Sequence, residues 1–447
     1  TKIRLMPFKF LKYLQPTHYF RLKTKSNLTV FPKAKSLPPD VLIQLKRDQD
    51  YQSQLACDYD LSWQAVQNGY IGNSLAYSDF EPLTVYDNYH FIRKYFHKSW
   101  VFYVFIVRML SFHNPFLEAK AWFKSRRVRR SQGFHESVTY SDYDDFKSTL
   151  INTSPKVSVV IPTLNRYTYL KDVLKDLEEQ DYTNFEVIII DQSEPYNPEF
   201  YSGFNLQINV IRQEEKALWL ARNTAIKNAS GPLIALSEDD VRIKPDWISS
   251  HLKCLDFFDA QVSAGVFYPE GQSIPQERSY FAIASQFATG NAMLYKDVFM
   301  KVGLFDRQFE KQRMGDGEFG MRLYLDDIKS ISNPLASCID VKAGTGGLRE
   351  MGSWDAFRPS SFFAPRPIPS VIYFFRRFFG NKATRLALLR LVPLSIFPYQ
   401  FKKNKLAVVL GVFLTILILP IVFYQVRKSW YLASKKIKQG PLIETLA

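Results

Sequence analysis

The rhythm of apolar and polar residues changes twice along the chain, and the changes divide it into three. Between residues 155 and 355, short β-branched runs alternate with segments of helical period. Val157-Ser-Val-Val-Ile-Pro162 reads as a buried strand closed by its proline. Leu170, Val173, Leu174 and Leu177 then recur at helical spacing over 168–180. Phe185-Glu-Val-Ile-Ile-Ile190 reads as a second buried strand and Ile234-Ala-Leu-Ser237 as a third, with a helix over 216–229 between them. Strands alternating with helices in this way predict an α/β domain, a mostly parallel sheet between helices. Ligands bind such sheets beyond the carboxyl ends of the strands, so the polar residues that follow each strand are the ones to inspect.

The flanks read differently. Residues 1–150 form a basic, aromatic extension whose fold class the pattern does not specify. Alternation around Thr84-Val-Tyr86 suggests strands, and 88–128 reads as mainly helical. The apolar stretch Trp100 to Phe112 is interrupted by Arg108 and too short to span a bilayer, so it reads as an interfacial or core helix. The basic residues Lys124, Arg126, Arg127, Arg129 and Arg130 follow it. In the third region, 366–447, Leu406 to Tyr424 is uncharged and apolar throughout. As one helix it would reach roughly 28 Å, close to the ~30 Å hydrocarbon core. Pro420, with Arg390 and two prolines just upstream, leaves a re-entrant or interfacial hairpin as the alternative. Basic residues flank the run on both sides, so charge does not choose its orientation.

Charge sharpens this picture. The net charge of +15 sits at the ends: no acidic residue precedes Asp40, and none lies between Asp355 and Glu444. The basic stretches alternate with aromatic runs such as Ile372-Tyr-Phe-Phe-Arg-Arg-Phe-Phe379. Rings beside charges suit an anionic lipid surface. No nucleic-acid-binding motif accompanies them, so nucleic acid is not an expected partner. Cys57, Cys254 and Cys338 lack metal-ligand spacing and read as reduced thiols. With no signal peptide evident, the expectation is a membrane-associated protein whose catalytic body faces the cytoplasm.

Chemistry gathers at the strand ends. Thr163, Asn165 and Arg166 follow the first strand, Asp191 the second, and Glu238, Asp239 and Asp240 the third. One acidic cluster alone is as often a solvated turn or helix cap; three polar clusters at three neighbouring strand ends make a constellation. Consecutive carboxylates suit a hard divalent cation, Mn²⁺ or Mg²⁺, which takes oxygen ligands and bridges phosphate oxygens.

The run PKVSVVIPTLNRYTYLKDVLKDLEEQDYTNFEVIIIDQS (155–193) strongly resembles the start of a family 2 glycosyltransferase catalytic domain. LARNTAIKNASGPLIALSEDDVRIKPDWI (220–248), TGNAMLYKDVFMKVGLFD (289–306) and GDGEFGMRL (315–323) resemble its later blocks, in order. The resemblance implies the GT-A fold, a nucleotide-binding α/β sandwich, and single-displacement transfer of a sugar with inversion. The expected partners are a nucleotide-sugar donor, a glycan or lipid-linked acceptor and membrane lipids. Residue by residue, it implies that Asp239 holds the donor ribose and that Asp240, with Glu238, holds the metal. Asp316 is the implied general base. Thr163, Asn165, Arg166, Asp191 and Arg222 fall at donor-binding positions; Gly290 and Asn291 fall where an acceptor pocket is lined, and Trp247 is a further candidate there. Arg349, in the glycine-rich run 342–349, is placed to meet the departing diphosphate. Trp219 reads as core packing before sugar stacking, and His251 as structural.

Four departures qualify the resemblance. Gln192 follows Asp191 where a second aspartate is familiar, and Glu238 replaces an aspartate. Gly315 replaces an acidic neighbour of Asp316, a part Glu318 is positioned to take over. The Q-x-x-R-W motif of processive members is absent, so one sugar per visit is expected. Two other readings compete: a non-catalytic nucleotide-sugar-binding membrane protein on the same fold, and a nucleotidyltransferase. The latter is expected to carry a glycine-rich phosphate loop after the first strand, which Pro162-Thr-Leu-Asn-Arg166 is not.

Overall fold

The computed structural model describes the chain apart from residues 1–4, 132–136, 285–286, 345–354, 360, 402–403 and 447. It divides into two compact units, one made of 1–139 with 375–391 and the other of 140–374 with 392–447.

In the first unit, aromatic rings supply the core. Phe8 stacks on Phe91 with centroids 3.8 Å apart, Phe10 meets Tyr89 edge-on at 4.8 Å, and Phe20 meets Trp63 edge-on at 5.4 Å. The helices expected over 88–128 are present, as Val85–Tyr95, Lys98–Leu110 and Pro115–Lys124. The strands expected around Thr84-Val-Tyr86 are not. Thr84 instead caps the first of these helices, accepting from the Asp87 amide at 3.0 Å and donating its hydroxyl to the Asp87 carboxylate at 2.9 Å. Thr84 is thus a side-chain N-cap, and the helix it opens takes up the residues read as strand. Arg108, the charge inside the apolar run, is buried against Glu118, which also accepts from the Tyr89 hydroxyl at 2.8 Å.

The second unit is built on a nine-stranded sheet in the order β3-β2-β1-β4-β8-β6-β9-β5, with β7 paired to β9. The strands are β1 Val157–Thr163, β2 Phe185–Asp191, β3 Ile208–Arg212, β4 Leu233–Ser237, β5 Val241–Ile243, β6 Val262–Pro269, β7 Ala282–Ile283, β8 Asn291–Tyr295 and β9 Ser330–Asp340. The three strands read from the sequence are β1, β2 and β4; β3 lies between the latter two in the chain. The sheet is mixed rather than mostly parallel. β1 pairs in parallel with β2 and β4, β2 with β3, and β6 with β9, while β4–β8, β6–β8, β5–β9 and β7–β9 are antiparallel. With its parallel half wrapped by helices, this is the GT-A-like arrangement.

Parallel register brings the strand ends together. Thr163 at the end of β1 lies beside Asp191 at the end of β2, and β4 ends at Ser237, directly before Glu238-Asp239-Asp240. Helix Leu218–Asn228 packs on β1 and β2, and helix Trp247–Phe257 on β6, β8 and β9. Asp176, on helix Tyr167–Glu178, clamps the guanidinium of Arg242 at 2.6 and 2.8 Å and accepts from the Ile243 amide, tying that helix to β5.

The apolar run of the third region is not one helix. Helix Lys405–Leu417 and helix Leu419–Gln439 meet at Ile418 with a bend of 89°, and Pro420 lies in the first turn of the second. No single helix among the described residues is long and apolar enough to cross a membrane; only this bent pair passes, by length and composition. Beyond it the chain returns to the loop that precedes helix Gly315–Leu325. Glu444 O accepts from the Leu304 amide at 2.8 Å, Leu442 O from the Arg307 amide at 3.1 Å, and Lys436 Nζ donates to Gln308 O at 2.6 Å.

Candidate active site

A cleft of about 320 Å³ opens at the carboxyl ends of β1 and β4. Its walls carry Thr163, Arg166, Arg222, Glu238, Asp239, Asp240 and Asp316. Thr163 and Asp316, 153 positions apart in the chain, thus meet in one cavity, because the parallel register aligns two strand ends and the loop before helix Gly315–Leu325 folds back over them.

The floor is a braid of carboxylates and guanidinium groups. Arg166 Nη1 sits 3.0 Å from Asp239 Oδ1 and 3.1 Å from Asp240 Oδ2, with both carboxylates buried and Arg166 partly so. Thr163 donates its hydroxyl to Asp239 Oδ2 at 2.8 Å. Asp240 Oδ2 also accepts from the Ala343 amide at 3.2 Å, so the start of the glycine-rich run 342–349 is fixed to the acidic cluster. Lys342 lines the cleft. Arg349 lies outside the described residues.

Arg222 is fully buried, donates to Thr289 O and stands 3.4 Å from Glu238 Oε1. Burial pushes the Glu238 carboxyl up to about 7; Arg222 pulls against this, and Asp240, Asp316 and Asp239 add to it. Protein atoms crowd this side chain, yet 41% of its surface stays open at the cleft. Asp239 is pushed up to about 6, first by burial, with Arg166 opposing and Asp240 adding. Carboxylates that resist losing their protons, first because they are buried and then because they face one another, form a site that welcomes positive charge. Among the described residues, no group of three or more histidine, cysteine or acidic side chains is arranged to hold a metal ion unaided. The donor set fits a hard cation that takes one or two carboxylate oxygens here and its remaining ligands from phosphate and water.

Asp316 stands at the start of helix Gly315–Leu325 and is exposed to the cleft. Thr289 donates its hydroxyl to Asp316 Oδ1. Gly315 explains itself by close approach, since a Cβ there would run into the indole of Trp219. Met314, immediately before, holds φ 85°, a left-handed backbone that non-glycine residues rarely adopt and that marks a loop fixed by its surroundings.

Several candidates stand elsewhere. Asp191 is fully buried with its oxygens engaged: Tyr167 and Tyr201 donate to Oδ2 at 2.8 and 2.7 Å, and the Ser193 amide to Oδ1 at 2.9 Å. It braces the wall, and its neighbour Gln192 reaches the cleft. Asn165, in a left-handed turn at φ 56°, spends its side chain on the Glu194 amide at 2.9 Å and does not line the cleft. Trp247 and Asn291, expected at the acceptor, are core residues. Trp247 Nε1 donates to Asn291 Oδ1 at 2.8 Å, Asn291 Nδ2 donates to Ala336 O at 2.8 Å, and buried His251 completes the network. Gly290 backs onto Glu238, whose carboxyl carbon would lie 2.5 Å from a Cβ at that position. Glu318 is buried in an ion pair with Arg322 at 2.8 Å, so it does not replace the acidic neighbour missing at Gly315.

Sequence reasoning missed Thr289 and set Trp219 aside. Trp219 lines the cleft while donating Nε1 to Phe309 O at 3.1 Å. Thr289 had one signal, its place directly before Gly290 in a block already singled out.

Residues 158–315 match the family model described as "Glycosyl transferase family 2". Glycosyltransferase GlyA of Streptococcus pneumoniae is 28% identical over 163 residues, covering 36% of this chain and 22% of that protein. Glycosyltransferase YwdF of Bacillus subtilis, itself uncharacterized, is 28% identical over 200 residues, covering 41% of this chain and 73% of its own. The chain therefore spans about a fifth of the first relative and most of the second. The structure of S. aureus TarS 1-349 in complex with UDP-GlcNAc is similar at 16% identity and a TM-score of 0.42, over 64% of this chain and 92% of that one. Residues 158–315, with their acidic strand end and the cleft around it, thus form a glycosyl transferase family 2 domain within this chain.

Proposed function

We propose that this chain transfers one sugar per visit, with inversion, from a nucleotide-sugar donor to a hydroxyl of a glycan or lipid-linked acceptor in the synthesis of a surface polysaccharide or glycolipid. The observation that carries the reading is the meeting of Glu238, Asp239 and Asp240 with Asp316 in one cleft. Asp240, with Glu238, would hold Mn²⁺ or Mg²⁺; when bound, the cation neutralises charge on the departing diphosphate. Asp239, held by Thr163 and Arg166, is positioned for the donor ribose.

Asp316 Oδ2 accepts no hydrogen bond among the described residues, while Thr289 orients Oδ1. Asp316 is therefore the group to take the proton of the acceptor hydroxyl as that oxygen attacks the anomeric carbon and the bond to the diphosphate breaks. The electron pair of the broken bond leaves on the diphosphate, and no covalent enzyme intermediate forms. Trp219 supplies an apolar wall near the sugar.

The same reading places the catalytic unit on the cytoplasmic side of a membrane, with the apolar run 406–424 of the bent pair entering the lipid from one face. Support comes from its outward apolar residues, among them Leu406, Phe413, Leu417 and Phe423, and from the basic flanks. The test is a screen of nucleotide sugars by thermal shift with Mn²⁺, followed by sugar release from the donor that binds. Release abolished by Asp240→Ala supports the enzyme. Tight donor binding without release or transfer to any acceptor would favour a nucleotide-sugar-binding protein instead.

A further inference from the structure

Outside the cleft, the most unusual surface belongs to the first unit. Helices Lys98–Leu110 and Pro115–Lys124 pack as a hairpin held by the buried Arg108–Glu118 pair. On the first helix Val101, Val104 and Arg108 are buried, while Phe102, Ile106 and Leu110, spaced four apart, line the opposite face and are exposed. On the second, Glu118 and Ala121 face inward and Phe116, Lys120 and Phe123 share the outer stripe. At the connecting turn Phe112 is 98% exposed in a left-handed backbone at φ 55°. A bulky ring held in that conformation with no protein against it is poorly placed for water.

Along this stretch of the chain the exposed charge has one sign. Between Asp87 and Glu136 the sole acidic residue is Glu118, which is buried and paired. Lys120, Lys124, Arg126, Arg127, Arg129 and Arg130 are exposed. Protein interfaces deplete charge at their apolar core, whereas here a lysine stands within the aromatic stripe and a basic run adjoins it. That is the pattern of an interfacial helix.

We infer that the helical hairpin 98–124 is a docking surface for an anionic lipid bilayer, with Phe112 and Phe116 inserted among the acyl chains and the basic run on the headgroups. It does not depend on the chemistry of the cleft, and it is separable from the proposed lipid contact of 405–439.

Phe112→Cys in the full chain provides the probe. Cys57, Cys254 and Cys338 are all buried, so an environment-sensitive thiol dye will label the new site. On vesicles of equal parts phosphatidylcholine and phosphatidylglycerol the dye should shift to the blue and be quenched by lipids brominated on the acyl chain; phosphatidylcholine alone should give much less. Neutralising Lys120, Lys124 and Arg127 to glutamine should raise the lipid concentration for half-maximal shift by about a hundredfold. Three results would overturn the inference. The chain sediments with anionic vesicles while the dye stays in water, which leaves the contact of 405–439 standing. Neutral vesicles act as strongly as anionic ones. Or the dye shifts without lipid as protein concentration rises, the sign of a second copy covering the ridge.

Discussion

Replacing Arg166 by alanine tests the electrostatics of the cleft floor. One guanidinium nitrogen serves both Asp239 and Asp240, at 3.0 and 3.1 Å; both carboxylates are buried and Arg166 partly so. Removing one partner of such a cluster costs roughly 3–5 kcal/mol, because buried charge is left uncompensated. The lower end applies here, since Asp239, already raised to about 6, can take up a proton instead of remaining ionised. The sign follows from that value. A carboxyl raised in the folded state contributes stability that is full below its unfolded pKa and declines as pH rises through about 6. Below that point Asp239 is neutral in both proteins and Arg166 matters less to it; above it both keep the Thr163 hydroxyl, but only the native protein has this cation beside the charge. Melting in EDTA should therefore show Arg166→Ala less stable by about 3 kcal/mol near neutral pH, a fall of about 5–8 °C, with a clearly smaller gap near pH 5. Mn²⁺ should restore part of the loss at neutral pH by replacing the missing positive charge. An equal deficit at both pH values, or none, would mean that Arg166 does not balance the charge of Asp239.

The same carboxylates make cation binding pH-dependent. Because Glu238 and Asp239 are raised to about 7 and 6, the thermal shift produced by Mn²⁺ should grow as pH rises through this range, with protons released; a shift independent of pH would contradict it. Gly315→Ala should drive a methyl group into Trp219, lowering stability by about 1–3 kcal/mol and turnover with it, as read by melting and transfer rate. Asn291→Ala should leave Trp247 Nε1 and His251 without their acceptor and cost about 1–3 kcal/mol, while KM for the acceptor stays unchanged in steady-state assays.

How much of this was legible depended on whether a feature is local. The runs of β1, β2 and β4 declare themselves because buried parallel strands are apolar throughout, and the residues just past them followed at once. β3 hid because it is a half-exposed edge strand whose Asn209 and Arg212 break the apolar run. The antiparallel pairing of β8 with β4 and β6 is decided by contacts across the chain, which no local pattern reports. Asp191 was correctly set at a strand end, but Tyr167 and Tyr201 occupy it from elsewhere. Trp247 and Asn291 stand in motif positions yet turn into the core, because side-chain direction depends on how a helix and a strand are rotated against the sheet. The apolar run at 406–424 gave its composition but not its break at Ile418; Pro420 was the local sign of it.

In the proposed mechanism one cleft divides its carboxylates between holding the donor and taking a proton. Asp316→Asn separates these roles most directly, since it keeps shape and the acceptor for Thr289 while removing the base. With the donor and acceptor in hand, the variant should bind the nucleotide sugar with Mn²⁺ as the native chain does and lose transfer by at least about a hundredfold. Transfer at the native rate, or loss of donor binding in step with transfer, would contradict it.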